Sequence, residues 1–195
     1  MLKLIKESRT GPKPNFSDAD VYWAMYLMFQ GQCLYRKTLV QELEVGEGSV
    51  RTILNSLREA GMVDTYQNGS ILTRAGSAFM NARPIEPVDI DLPRLTVGPV
   101  TQAVHVRGAA DRIRDGWDQR DLGVIAGGNG CTTVVYRDGR LLLPPEWDLD
   151  TENPDEASLI RGSLDLRDGD VLVVGSGDTV PVARRAAITV ALSIV

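Results

Sequence analysis

Cysteine and histidine are scarce in this chain: there are two cysteines, Cys33 and Cys131, and one histidine, His105, in 195 residues. The cysteines lie far apart and outside any CxxC pair. That suits free thiols in a reducing compartment better than a disulfide framework. One histidine and no cysteine cluster exclude the usual zinc ligand sets, and neither a metal nor a cofactor is expected. Long hydrophobic runs are missing as well. The opening stretch MLKLIKESRTGPKPNF holds no apolar segment long enough for a signal sequence. The most apolar stretch, Ile188 to Val195, is far too short to span a bilayer. A cytoplasmic protein with no membrane partner is therefore expected. There is no internal repeat and no low-complexity tract.

Lysine is absent after Lys37; the others are Lys3, Lys6 and Lys13. This reflects a wider asymmetry of charge. The net charge is −5, yet residues 1–83 sum to +2 and residues 84–195 to −7. Such a split supports two units with different partners: the front suits phosphate, while the back repels it and keeps the chain soluble. Between them, Pro84, Pro87 and Pro93 push the backbone towards extended geometry. The expected division is a first domain over 1–82, a semi-rigid linker over 83–94 and a second domain over 95–195.

The first domain reads as helices followed by a short hairpin. Ser17 or Asp18 can cap a helix running to about Gln30, with Val21, Ala24, Met25, Leu27 and Met28 at helical spacing. A second helix covers Arg36–Leu43. After the turn Glu44-Val45-Gly46, a third runs from Glu47 to Ala60 with Val50, Ile53, Leu54 and Leu57 as its buried stripe. Gly61 supplies the left-handed stop. Then two β-prone runs flank Gln67-Asn68-Gly69-Ser70, and Asn-Gly is a strong hairpin signal. Helix resumes over Arg74–Asn81. Helix, short turn, helix and hairpin is the winged helix-turn-helix order, in which the third helix enters the major groove of double-stranded DNA. The pattern from Leu39 through Val50 and Leu57 to Gly61 and Val63 resembles the winged-helix part of many archaeal and bacterial transcription regulators.

On that helix the face opposite the buried stripe holds Gly48, Ser49, Arg51, Thr52, Asn55 and Arg58. Arg51 has the fork to read guanine and Asn55 the amide to read adenine. Ser49, Thr52 and Arg58 suit phosphate. Arg36 and Lys37 open the second helix, where backbone donors also favour phosphate. Asn68 marks the hairpin tip. Lys3, Lys6, Arg9 and Lys13 can form a basic arm. Glu47 and Glu59 oppose the two arginines of the third helix, and winged helices also serve as protein-interaction modules.

The second domain reads as mixed α/β, making the whole chain α+β. Leu95–Arg107 is strand-like, Ala109–Arg120 helical, Leu122–Ala126 a short apolar strand, and Asp138-Gly139 the turn of a second hairpin. Pro154–Arg161 is a short helix, Asp170–Val174 a buried strand, Gly175–Asp178 a turn and Thr179–Ile194 a closing helix. Two glycine-rich loops draw notice. Gly128, Asn129 and Gly130 precede Thr132 and Thr133; Ser176, Gly177 and Asp178 precede a helix. They could share a small-ligand pocket. They could equally be tight turns, with Asp178 or Thr179 as a helix cap; no full phosphate-binding signature is present. His105 has no recognisable serine or cysteine partner and reads as structural, so no catalytic residue is assigned. The acidic run from Glu146 to Glu156 reads as a solvated loop, with magnesium binding as the weaker option. Trp117 and Trp147 read as core or interface residues.

Three further stretches carry a whole-chain resemblance: Ala126-Gly-Gly-Asn-Gly-Cys-Thr-Thr133, Arg137-Asp-Gly-Arg-Leu141 with Pro144, and Asp168-Gly-Asp-Val-Leu-Val-Val174. With the first domain, they resemble an archaeal family of two-domain proteins that pair a winged helix with an α/β domain. The resemblance implies a regulator with a sensor or dimerisation domain and names no ligand. The expectation is a homodimeric DNA-binding transcription regulator, open to a small-molecule effector. The alternatives are a small enzyme with a regulatory winged helix and a protein-interaction adaptor.

Overall fold

A computed structural model describes residues 15–31 and 33–195. The basic arm of Lys3, Lys6, Arg9 and Lys13 lies outside the described residues. The chain divides into two compact units between Arg83 and Pro84.

In the first unit, α1 (Asp18–Phe29) begins at a reciprocal cap. Ser17 N–H donates to Asp20 Oδ2 at 2.7 Å, and Asp20 N–H donates to Ser17 Oγ at 3.4 Å. Next come α2 (Arg36–Leu43) and α3 (Glu47–Glu59), joined by a turn in which Glu44 is left-handed. The buried stripe of α3 is Val50, Ile53, Leu54 and Leu57, as its spacing predicts. The helix ends where Gly61 N–H donates to the Arg58 carbonyl at 2.9 Å and Met62 N–H to the Leu57 carbonyl at 2.8 Å. That paired cap requires the positive φ of Gly61, +69°. The strands β1 (Val63–Tyr66) and β2 (Gly69–Leu72) pair antiparallel with Tyr66 opposite Gly69. The turn is thus Gln67-Asn68, shorter than the expected Gln67–Ser70. Leu34 pairs with Ser70 beside the hairpin. Finally α4 (Arg74–Asn81) is capped by Thr73, whose Oγ1 accepts from Gly76 N–H and donates to the Gly61 carbonyl. The order and pairing are those expected of a winged helix-turn-helix.

The second unit contains β3 (Ile85–Val88), β4 (Val100–Val106), α5 (Trp117–Ile125), β5 (Gly130–Arg137), β6 (Arg140–Leu143), β7 (Trp147–Asp148), α6 (Leu149–Glu152), α7 (Pro154–Ser163), β8 (Val171–Gly177) and α8 (Val180–Ser193). The strands form one six-stranded sheet in the order β3-β4-β8-β5-β6-β7, with every neighbour antiparallel. The chain is α+β, as expected. Strand alternation sorts its two faces. Ala103, Val134, Leu172 and Val174 join one core with Ile90, Leu92, Leu95, Leu149, Ala157 and Ile160. On the other face lies α8, burying Ala183, Ala186, Ala187 and Ala191.

Three expectations are corrected here. The proline-rich segment is extended but is no free linker: Ile85–Val88 pairs with Ala103–Val106 as an edge strand, where Pro87 is tolerated. The helix over Ala109–Arg120 and strand over Leu122–Ala126 are replaced by a short 3-10 turn at Ala110–Arg112 and a helix over Trp117–Ile125. Left-handed Gly116, at φ +79°, stands immediately before that helix, so the chain cannot run through it as one. Gly175–Gly177 is not a turn but the end of β8. A Cβ on Gly175 would lie 2.4 Å from the Ala183 carbonyl oxygen, so the missing side chain is what lets α8 lie directly on the strand.

Candidate nucleic-acid interface

The outward row of α3 follows from its inward one. Positions 48, 51, 55 and 58 recur at three- and four-residue spacing, opposite the buried stripe. Gly48, Arg51, Thr52, Asn55 and Arg58 are exposed, while Ser49 is half-buried. Thr52 is less available than its position suggests, because Oγ1 donates to the Gly48 carbonyl at 3.0 Å within its own helix. Arg36 and Arg51 converge on one carboxylate: Glu47 Oε1 lies 3.7 Å from Arg36 Nη1 and 3.5 Å from Arg51 Nη2. Arg36 and Lys37 also line a hollow of about 340 Å³ with Leu54 of α3 and Tyr66 and Gln67 of the hairpin. Asn68 is exposed in the turn, and its carbonyl accepts from Cys33 Sγ at 3.3 Å.

Two residues at this hollow were not singled out in the sequence. Tyr35 and Tyr66 are 58% and 55% exposed, and both line it. Tyr66 carried a signal, since a large aromatic at the end of a short strand with one buried residue must face outward. The position of Tyr35, just before α2, carried none.

The tentative ligand residues of the second unit separate into two groups. Asn129, Gly130, Thr132 and Ser176 line one hollow. Gly128 and Gly177 instead make close packing: a Cβ on Gly128 would lie 2.8 Å from Ala186 Cβ, and one on Gly177 would lie 2.6 Å from Val182 Cγ1. Thr133 is buried on the opposite side of β5, and Asp178 is exposed beyond the strand end. Thr179 occupies the cap position of α8 without a side-chain capping bond, so the expected cap is not made by it.

His105 is buried with its Nε2 2.9 Å from Asp170 Oδ2. Asp170 also accepts from the Gly108 and Arg167 N–H groups, each at 3.0 Å. Burial pushes the Asp170 carboxyl up, but the two backbone donors and His105 outweigh it and hold it below the ordinary carboxylate range. The acidic run is ordered rather than a plain solvated loop. Asp148 caps α6, and Asp150 is clamped by Arg161 through bonds of 2.9 and 2.7 Å. That clamp holds the Asp150 carboxyl below its ordinary range. Burial pushes the Cys131 thiol well up. Among the described residues, no group of three or more His, Cys, Asp or Glu side chains is arranged to hold a metal. No described helix is long and apolar enough to cross a membrane.

Residues 97–194 match the family model described as a domain of unknown function, DUF4443. The chain belongs to this family. Its DUF4443 domain starts just before β4, and so leaves β3 outside the match. Ahead of the DUF4443 domain, residues 20–78 match the model described as the PH0730-like N-terminal domain. The hypothetical protein PH0730 from Pyrococcus horikoshii OT3 has a similar solved structure. The TM-score is 0.74 at 24% identity, covering 92% of this chain and 93% of that one. At that identity the likeness shows the fold alone, a two-domain layout shared with an archaeal protein. No curated protein matches the chain.

Proposed function

We propose that this protein is a DNA-binding transcription regulator that inserts α3 into the major groove. The observation that carries the reading is the row of Arg51, Asn55 and Arg58 exposed along the face of α3 opposite its buried stripe. Arg51 and Asn55 would meet base edges, while Arg36, Lys37 and Arg58 would meet phosphates. Two copies would bind half-sites about one helical turn apart. The acidic second unit would dimerise, sense a small molecule, or both.

One observation favours the adaptor reading instead. Glu47 engages both Arg36 and Arg51, and two tyrosines stand exposed beside them. Titration of mixed duplex DNA separates the two readings. A DNA regulator loses affinity steeply between low and moderate salt, because each neutralised phosphate releases counterions. No binding at low salt, or a response flat in salt, overturns the regulator. Selection from random duplexes would then report the site and its symmetry.

A further inference from the structure

The segment from Arg94 to Val97 and the strand start at Asn129–Thr132 line a hollow of about 240 Å³, with Arg120 and Ser176 completing it. Sites for drug-sized ligands span about 300–1,000 Å³, so this hollow suits a smaller guest. Its lining contains two arginines and no carboxylate. Each guanidinium is oriented by a neighbour outside the lining. Arg94 reaches Asp155 through Nη1 at 3.2 Å and Glu156 through Nε at 3.6 Å. Arg120 reaches Asp121 through Nη1 at 3.3 Å and lies over the Trp117 ring, 5.9 Å from its centroid. A guanidinium carries five N–H donors in a fixed fork, so both arginines retain donors after these contacts. The paired carboxylates offset part of the charge on the two arginines, so an anion is held through the N–H donors that they leave free. The hydroxyls of Thr132 and Ser176 are already committed to the carbonyls of Leu95 and Gly130. Thr96 Oγ1 is buried with no hydrogen-bond partner among the described residues. The Asn129 side chain is exposed.

We propose that this hollow binds a small oxyanion, the phosphate group of free phosphate or of a small phosphomonoester, between Arg94 and Arg120 with the Asn129 amide as a further donor. The hollow lies wholly within the second unit, so the proposal does not depend on the DNA-binding reading.

The test uses the full chain without DNA. Potassium phosphate and glycerol phosphate are titrated against potassium chloride of equal ionic strength, following tryptophan emission and the melting temperature. A guest that draws on Arg120 disturbs its stacking on Trp117, so emission changes saturably with phosphate and not with chloride. The melting temperature rises with the logarithm of phosphate concentration above saturation, as mass action requires. Saturation by glycerol phosphate at lower concentration assigns the monoester, and saturation by phosphate alone assigns the free ion. The variants Arg94→Met and Arg120→Met should each raise the half-saturating concentration at least tenfold. Arg94 also pairs with the buried Glu156; should Arg94→Met fail to fold, the exposed Arg120→Met decides, read by melting temperature. A phosphate response no different from chloride, or unchanged half-saturation in Arg120→Met, overturns the site.

Discussion

Arg51 Nη2 stands 3.5 Å from Glu47 Oε1, one turn back along the same helix, and the same carboxylate oxygen is 3.7 Å from Arg36. The carboxylate therefore opposes DNA at two of the proposed contact residues, the phosphate contact Arg36 and the base contact Arg51. Replacing Glu47 with Gln keeps the shape and removes the charge. An exposed pair is worth about 0.2–1 kcal/mol, so Glu47→Gln should tighten duplex binding about two- to fivefold at low salt. It should also steepen the salt dependence by about 0.9 for each phosphate newly neutralised. Fluorescence anisotropy across a salt series measures both. Unchanged or weaker binding would place Arg36 and Arg51 away from DNA.

The two arginines of α3 should differ in kind. Arg51→Ala should cost about 1–3 kcal/mol at one base position and relax preference there. Arg58→Ala, near the end of the helix, should weaken all sequences alike and reduce the salt slope by about 1. Competition between single-base variants of a selected site distinguishes these outcomes.

Acid should weaken the second unit through Asp170 and Asp150. Both carboxyls are held below the ordinary range in the fold. The stability they contribute is fully present above the unfolded value of about 3.9. It is lost as pH falls through the lower folded value, where the folded carboxyl takes up its proton. Melting temperatures should accordingly fall from about pH 4 downward, and Asp170→Asn should flatten that fall. At neutral pH, Asp170→Ala should cost about 1–3 kcal/mol, because it removes the acceptor shared by His105 and the Gly108 and Arg167 N–H groups. Denaturant melts at pH 3, 4, 5 and 7 test both statements.

Two glycine substitutions should have opposite consequences. Gly175→Ala places a Cβ 2.4 Å from the Ala183 carbonyl oxygen and 2.5 Å from the Ala187 nitrogen, both backbone atoms of α8. Overpacking of this kind costs about 1–3 kcal/mol. In α7, Gly162 has nothing within 4 Å of its Cβ position. Gly162→Ala should leave stability unchanged or raise it by up to about 1 kcal/mol. Parallel thermal melts of the two variants decide the matter.

Local chemistry made the first unit legible. The Ser17 cap, the α3 stripe and the Gly61 stop each depend on residues within one or two turns of one another. The second unit misled where distant partners decide the outcome. Leu122–Ala126 reads as a strand, but a short apolar run has no period to separate strand from helix; in the fold it closes the helix Trp117–Ile125, with Gly123 packed against Cys131. Gly175-Ser-Gly177 looks like a turn until α8 is laid over it. The proline-rich stretch looks like a linker until β4 offers it a partner. At the candidate interface, the exposed row of α3 was readable from periodicity, and the Glu47–Arg51 pair from its four-residue spacing. The Glu47–Arg36 pair was not, because it joins two helices.

The ends of the sheet have a consequence for assembly. One outer strand, β3, carries Pro87, which has no N–H to give; the other, β7, is two residues long. A sheet recruits a neighbouring chain by offering an unbroken ladder of free donors and acceptors. Neither margin has one, so the second unit resists both fibrous stacking and strand exchange. A second copy that joins it must meet helices or a sheet face, and a dimer of this protein would owe its specificity to side chains rather than to shared backbone bonds.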